Sequence, residues 1–265
     1  MTNTTTTSNA TSLPTSLANA TREQAENLLA REEVTVAEYN AYAREWNETP
    51  RFGPLMRVLP EDKLLSDKAL RGIVRVSKGN MKLGGIPSLS LPPIKTCRPD
   101  APCRKECYAM KAWRLYPSVR ESYTKNLDSF QADPARYFTA VATWIAKKKP
   151  AFFRFNVSGD IPSQRYLDGL TRVARLNPDT TFLVFTKRYE IDFTNIPANL
   201  RVVLAAWPGR PMANPHGLPV AYMRDTHAPD ARIPSNALAC PGSCENCNAC
   251  WFLADVKRDV VFDKH

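Results

Sequence analysis

All seven cysteines of the chain fall in two short runs. Cys97, Cys103 and Cys107 stand at C-x5-C-x3-C spacing in "CRPDAPCRKECYAMKAWRLYP" (97–117). Cys240, Cys244, Cys247 and Cys250 stand at C-x3-C-x2-C-x2-C spacing in "CPGSCENCNACW" (240–251). Structural cysteines would be scattered along strands and helices, so the grouping points to ligand chemistry. A structural zinc site takes two ligand pairs separated by a longer spacer, so that four sulfurs can surround one small ion. The second run has no spacer. Compact C-x2-C-x2-C runs, often with a Cys-Pro nearby, are typical of cubane clusters, whose several irons accept closely spaced thiolates. Cys240, Cys244, Cys247 and Cys250 therefore read as ligands of one [4Fe–4S] cluster, with zinc and redox thiols as the alternatives.

The first run offers Cys97, Cys103 and Cys107 as further ligands. Three arrangements are open: a second cluster with one open iron on these three, a single cluster drawing on both runs, or a purely structural first run. Charge bears on the choice. Lys and Arg number 36 against 26 Asp and Glu, a net charge of +10. Residues 95–125 hold eight Lys or Arg against three acids, Asp100, Glu106 and Glu121. Such an excess beside thiols lowers their pKa, and it offsets the charge of about −2 on an oxidised tetrathiolate cubane. It equally suits nucleic acid or another polyanion. A basic nucleic-acid-binding protein with a structural metal site is accordingly the alternative function.

The chain of 265 residues can bury a substantial core. It contains no run of eighteen apolar residues, so no membrane-spanning helix is expected. The N-terminus has neither the basic nor the apolar region of a secretory signal. A cytoplasmic location follows, where thiols stay reduced. Three regions are expected: a disordered Thr/Ser-rich tail at 1–20, N-terminal helices with a connector at 21–60, and an α/β iron–sulfur domain at 61–265.

Within that domain, a short helix is expected near 61–70 and a strand at "IVRVS" (73–77). Helices follow over 104–115, 118–131 and 134–148, with Pro117 and Pro134 in first turns. Strands are expected at 151–157, 181–186, 200–206 and 218–223, a helix at 163–176, and an edge strand at "VVFDKH". Five clear strands alternating with helices predict an α/β fold, either a partial (β/α) barrel or an open parallel sheet. Polar turns at the strand ends mark the edge where such sheets bind ligands. Ser158, Gly159 and Asp160 lie there as a candidate ligand site, Asp160 having helix capping as its plainer role. Lys187 and Arg188 could grip an anion or simply be solvated. His216 and His227 read as loop histidines. Trp113, Tyr116, Trp207 and Trp251 are expected to shield the cysteine loops.

Several segments together are similar to the phage gene product 88 family of uncharacterised proteins. They are "SKGNMKLGG", "SLPPIKTC", "APCRKECYAMKAWRLYPSVR", "SGDIPS", "PSNALACPGSCENCNACW" and "VVFDKH". The resemblance spans residues 73 to 265. More loosely, the strand–SGD and strand–TKR pattern resembles a radical-SAM-type barrel, and Cys240 to Cys247 has the C-x3-C-x2-C spacing of those enzymes. That wider resemblance implies a cubane cluster, a site at the sheet edge, and SAM held near Ser158, Gly159 and Asp160. The chain departs from it at Met110, which stands where a third cysteine would follow Cys103 and Cys107.

Overall fold

The computed structural model describes residues 65–207, 210–225, 227 and 230–264, all in the second of two units, Val58–His265. The tail expected at 1–20 and the helices and connector expected at 21–60 lie outside the described residues.

Seven strands form one sheet in which every pairing is parallel. They are β1 (Ser88–Leu89), β2 (Phe152–Phe155), β3 (Thr181–Thr186), β4 (Leu200–Ala205), β5 (Val220–Arg224), β6 (Leu238–Ala239) and β7 (Val260–Asp263). Their order is β1-β2-β3-β4-β5-β7-β6. The apolar, β-branched and aromatic runs "FFRF", "TFLVFT" and "LRVVLA" suit strands buried on both faces.

Helices α1 (Asp67–Ile73), α2 (Ala109–Leu115), α3 (Pro117–Ala132), α4 (Pro134–Lys148) and α5 (Gln164–Leu176) precede or separate the first strands. Pro117 and Pro134 both occupy first turns, where a missing N–H costs nothing. Asp133 caps α4 by accepting from Arg136 N (3.0 Å), and Ser163 caps α5 by accepting from Tyr166 N (3.3 Å). Phe153, Phe155 and Phe182, all fully buried, share the sheet face on which Trp144 of α4 meets Phe153 edge-on at 5.9 Å. Burying each such ring stabilises the fold by roughly 1.5–3 kcal/mol. At Gly169 of α5 a Cβ would fall inside the Phe138 ring, so only glycine lets α4 and α5 approach this closely.

The opposite face is built from alternate residues of the same strands. Leu183, Val203, Ala221 and Val260 pack there with Leu83, Ile86, Trp251 and Leu253. Leu83 and Ile86 precede β1, whereas Trp251 and Leu253 follow β6, so the segments beside the two edge strands share one core. Backbone bonds join them too: Cys244 N donates to Lys82 O (2.8 Å), and Gly85 N donates to Glu245 Oε1 (3.1 Å).

Two expectations are corrected. The "IVRVS" segment is not a strand, because α1 runs to Ile73 and Ser77 makes only an isolated bridge to Ser88. The buried side chain of Asn126 is the reason: it accepts from Arg75 N (2.7 Å) and donates to Arg75 O (3.0 Å). It thereby takes the backbone groups that a neighbouring strand would need. "VVFDKH" supplies β7, which is not at the edge but between β5 and the two-residue β6. A strand that short carries no readable periodicity.

Candidate metal centre

The second cysteine run leaves β6 at the C-terminal edge of the sheet, where Cys240 N still donates to Val261 O (2.9 Å). A single helical turn, α6 (Cys244–Cys247), follows and ends at Asn248 in left-handed conformation (φ 42°). A 3-10 turn (Ala249–Trp251) and α7 (Leu253–Val256) then lead to β7. Cys244 and Cys247 stand three apart, on one face of their turn. Glu245 reaches instead to the Gly84–Gly85 backbone. Gly84 has φ +63°, and a Cβ there would come within 2.6 Å of Glu245 Cβ. All four thiols are free and half-buried, and Cys240, Cys244 and Cys250 pack on the core cluster around Trp251. Phe152 of β2 lies 5.4 Å from the Trp251 ring.

Burial pushes the Cys250 thiol up to about 12, and the neighbouring thiols push the same way. Burial also raises Cys244. The largest opposing influence on both is Arg154, and Lys82 adds to it at Cys244. Arg154 lies on the same face of β2 as Phe152, with its guanidinium 4.3 Å from the Phe185 ring. Among the described residues, its buried Nε has no hydrogen-bond partner, and neither does the buried Nε1 of Trp251. Buried N–H donors without acceptors are rare and costly. Here one belongs to the arginine that acts on Cys244 and Cys250, and the other to the tryptophan that packs with Cys240, Cys244 and Cys250.

The first run begins beyond β1, also at the C-terminal edge. Its loop is fastened by Thr96, whose hydroxyl donates to Pro92 O (2.9 Å) and accepts from Asp160 N (3.2 Å). Arg98 forms a two-point pair with Asp100 (2.9 and 2.8 Å) and reaches Glu190 (3.3 Å). Arg104 donates to the carbonyls of Ile94 (3.0 Å) and Arg98 (3.4 Å). Lys264, beyond β7, pairs with both Asp225 (2.8 Å) and Glu106 (3.4 Å). Burial, then Asp160, raises the Cys97 thiol to about 11, with smaller contributions from Cys103 and Cys107. The thiols thus act on one another within each run. Arg154 lies between the runs, acting on Tyr108 beside Cys107 as well as on Cys244 and Cys250.

These shifts carry a prediction for metal-free protein. Below pH 9 the half-buried Cys97 and Cys250 stay protonated, so iodoacetamide should label them far more slowly than a denatured control. Labelling should accelerate as pH approaches 11–12. A thiol whose pKa is raised in the folded state keeps a proton that the unfolded chain has released. Stability from these groups is therefore present below pH 9 and is lost as pH rises towards 11–12. Mass spectrometry of peptides labelled across that range reads the result; equal rates in folded and denatured protein at pH 8 would contradict it.

Ser158, Gly159 and Asp160 form the turn after β2. Gly159 has φ +77°, and a Cβ there would come within 2.9 Å of Leu91, so this glycine is filled against the first cysteine loop. Asp160 accepts from Ile161 N (2.7 Å), Thr186 Oγ1 (2.6 Å) and Lys187 N (3.0 Å). It ties the end of β2 to the end of β3, and the cap of α5 is Ser163 instead. Ser158 Oγ is buried without a partner. Arg188 is spent on the carbonyls of Ile161 (2.9 Å) and Pro162 (2.8 Å). His216 packs edge-on to Phe193 at 5.9 Å, and Asp225 accepts from the backbone N of His227 (2.9 Å). Of the aromatic residues expected to shield the cysteines, Trp251 is in place. Trp113 instead stacks with Tyr123 at 6.2 Å, Tyr116 is exposed, and the Trp207 carbonyl accepts from Arg232 (2.6 Å).

Sequence reasoning missed Arg154. The available signal was a lone guanidinium in the otherwise aromatic strand "FFRF", a residue type that rarely enters a buried strand unpaired. Among the described residues, no three His, Cys, Asp or Glu side chains converge as a ready-made metal-ligand set. The second run gathers its sulfurs into one neighbourhood, and metal binding commonly completes such geometry as it orders the ligands. No helix among the described residues is long and apolar enough to cross a membrane. No curated protein and no solved structure matches the chain. A family model described as Gene product 88 matches residues 63–253, a span holding both cysteine runs and the sheet as far as β6, and the chain belongs to the phage gene product 88 family.

Proposed function

We propose that this protein is an iron–sulfur protein in which Cys240, Cys244, Cys247 and Cys250 hold one [4Fe–4S] cluster. One observation carries the reading: among the described residues the buried Nε of Arg154, which acts on Cys244 and Cys250, and the buried Nε1 of Trp251, which packs with Cys240, Cys244 and Cys250, both lack acceptors. Thiolates and inorganic sulfides are the acceptors such donors would serve. When bound, a cluster of this kind supplies one-electron redox chemistry. The chain's own residues do the rest. Arg154 and Lys82 place positive charge against the thiolates, and Trp251 with Phe152 keeps one side dry. Cys97, Cys103 and Cys107 form a separate set at the same sheet edge, suited to a second cluster.

The parallel sheet with bonded flanks is read as a partial (β/α) barrel, in which the cysteine run fills the inner face. SAM is given no step, because the Asp160 oxygens are committed within the chain and Gly159 is filled against Leu91. The host cytoplasm, which keeps thiols reduced, suits such a site. Protein purified without oxygen should contain iron and acid-labile sulfide and give an EPR signal on reduction. Zinc without iron or sulfide in that preparation would overturn the reading.

A further inference from the structure

A cavity of about 420 Å3 opens between the first cysteine loop and α2. Arg104, Lys105, Lys111 and Arg114 line it, together with Glu106 and Cys107. Among the described residues, none of the four cations has a carboxylate partner, whereas Glu106 has one cation of its own in Lys264 (3.4 Å). Arg104 is held in place by two backbone carbonyls, so its charge is positioned without being neutralised. Four like charges around one concavity repel each other unless an anion joins them. Tyr108 and Tyr116 flank the ends of α2 and are 66% and 55% exposed as residues; the Tyr108 hydroxyl donates to Val157 O, which leaves Tyr116 as the exposed platform. At 1.5 Å per residue the two tyrosines lie about 12 Å apart along the helix.

We infer that this cavity binds phosphate groups, and that the ligand is a single nucleic-acid strand whose backbone follows the four cations. Exposed aromatic rings beside a basic groove are the usual platform for sequence-tolerant stacking of bases. The site is distinct from the four-thiol centre and does not depend on it, and of the first cysteine set only Cys107 lines it.

The test uses the full chain as purified and a fluorescein-labelled oligothymidylate of about a dozen nucleotides, within the usual span of such sites. Binding followed by anisotropy should weaken with salt, with a log–log slope of about −2 to −3 for three to four phosphates at roughly −0.7 each. The double variant Lys111→Ala/Arg114→Ala should flatten that slope by about 1.4. Tyr116→Ala should weaken binding about tenfold and leave the slope unchanged. A flattened slope with no Tyr116 effect, and displacement of the probe by pyrophosphate, would keep the phosphate site but overturn the strand as its ligand. No binding by the wild type in 50 mM salt, or equal binding by the double variant, overturns the whole inference. Iron and sulfide are assayed in the same samples. Iron-free protein that still binds the probe counts against the cluster alone, whereas iron-loaded protein that does not bind counts against this site alone.

Discussion

Replacing Cys244 and Cys250 together by serine is expected to remove the iron and acid-labile sulfide of the four-thiol centre, with the share of the visible chromophore that this cluster contributes. Both sulfurs pack on the core cluster that holds Trp251, and both feel Arg154 as their largest opposing charge. Serine oxygen is a harder donor with a far higher pKa, so it neither ionises here nor matches the softness that iron–sulfur clusters require. The loss of ligands should also expose the cost of two buried N–H groups left without acceptors, about 1–3 kcal/mol each. Cys103→Ser is the contrasting variant. Cys103 belongs to the other run, so iron bound by the second run should survive this change. Metal analysis and absorbance of the two variants decide the matter. Full iron in the double variant would place the cluster elsewhere, and loss of all iron in Cys103→Ser would mean that the two runs share one site.

Asp160→Ala should be the most damaging change outside the cysteines, costing about 3–5 kcal/mol by analogy with breaking a buried ionic or hydrogen-bonded network. Three donors, Ile161 N, Thr186 Oγ1 and Lys187 N, lose their acceptor at once in a residue only 6% exposed. Against a total stability of about 5–15 kcal/mol this is a large fraction. The same turn carries Gly159 and, through Thr96, the first cysteine loop, so loosening it should also expose Cys97 to alkylation. Asp160→Asn keeps one acceptor oxygen and the volume, so it should cost less, about 1–3 kcal/mol.

The pH dependence separates these effects. Burial holds the Asp160 pKa above its ordinary value of 3.8 in spite of its three hydrogen bonds. As pH rises from 3.8 through the raised value, the folded protein retains a proton that the unfolded chain has released. Stability from this group therefore falls across that window. The stability difference between wild type and Asp160→Asn, measured by denaturant unfolding, should shift against the wild type as pH rises through the same window. A difference constant with pH would show that Asp160 titrates as it does in the unfolded chain.

Much of the fold was legible because it is written locally. Proline at first turns, β-branched and aromatic runs, and the amphipathic stretch of α5 each declare their element within a few residues. The strand at "IVRVS" was misread for a non-local reason. Its backbone is claimed by Asn126, a residue about fifty positions away (75 to 126), and no propensity in the segment reveals that. β7 was expected at an edge because β6, two residues long, is invisible until paired. Asp160 read as a helix cap because it precedes a helix, but its acceptors reach across to the end of β3.

The sequence by itself determined the chemistry on offer: seven soft ligands in two runs, an α/β alternation, and a basic excess around the first run. Ligand spacing is a property of neighbouring residues, so it survives in one dimension. Tertiary structure alone decided which charges face those ligands. Strands alternate their side chains between two faces, and their partners are set by register across the whole sheet. That fold brings Arg154 of β2 to sulfurs ninety residues later (154 to 244), and among the described residues it leaves an arginine and a tryptophan N–H without acceptors.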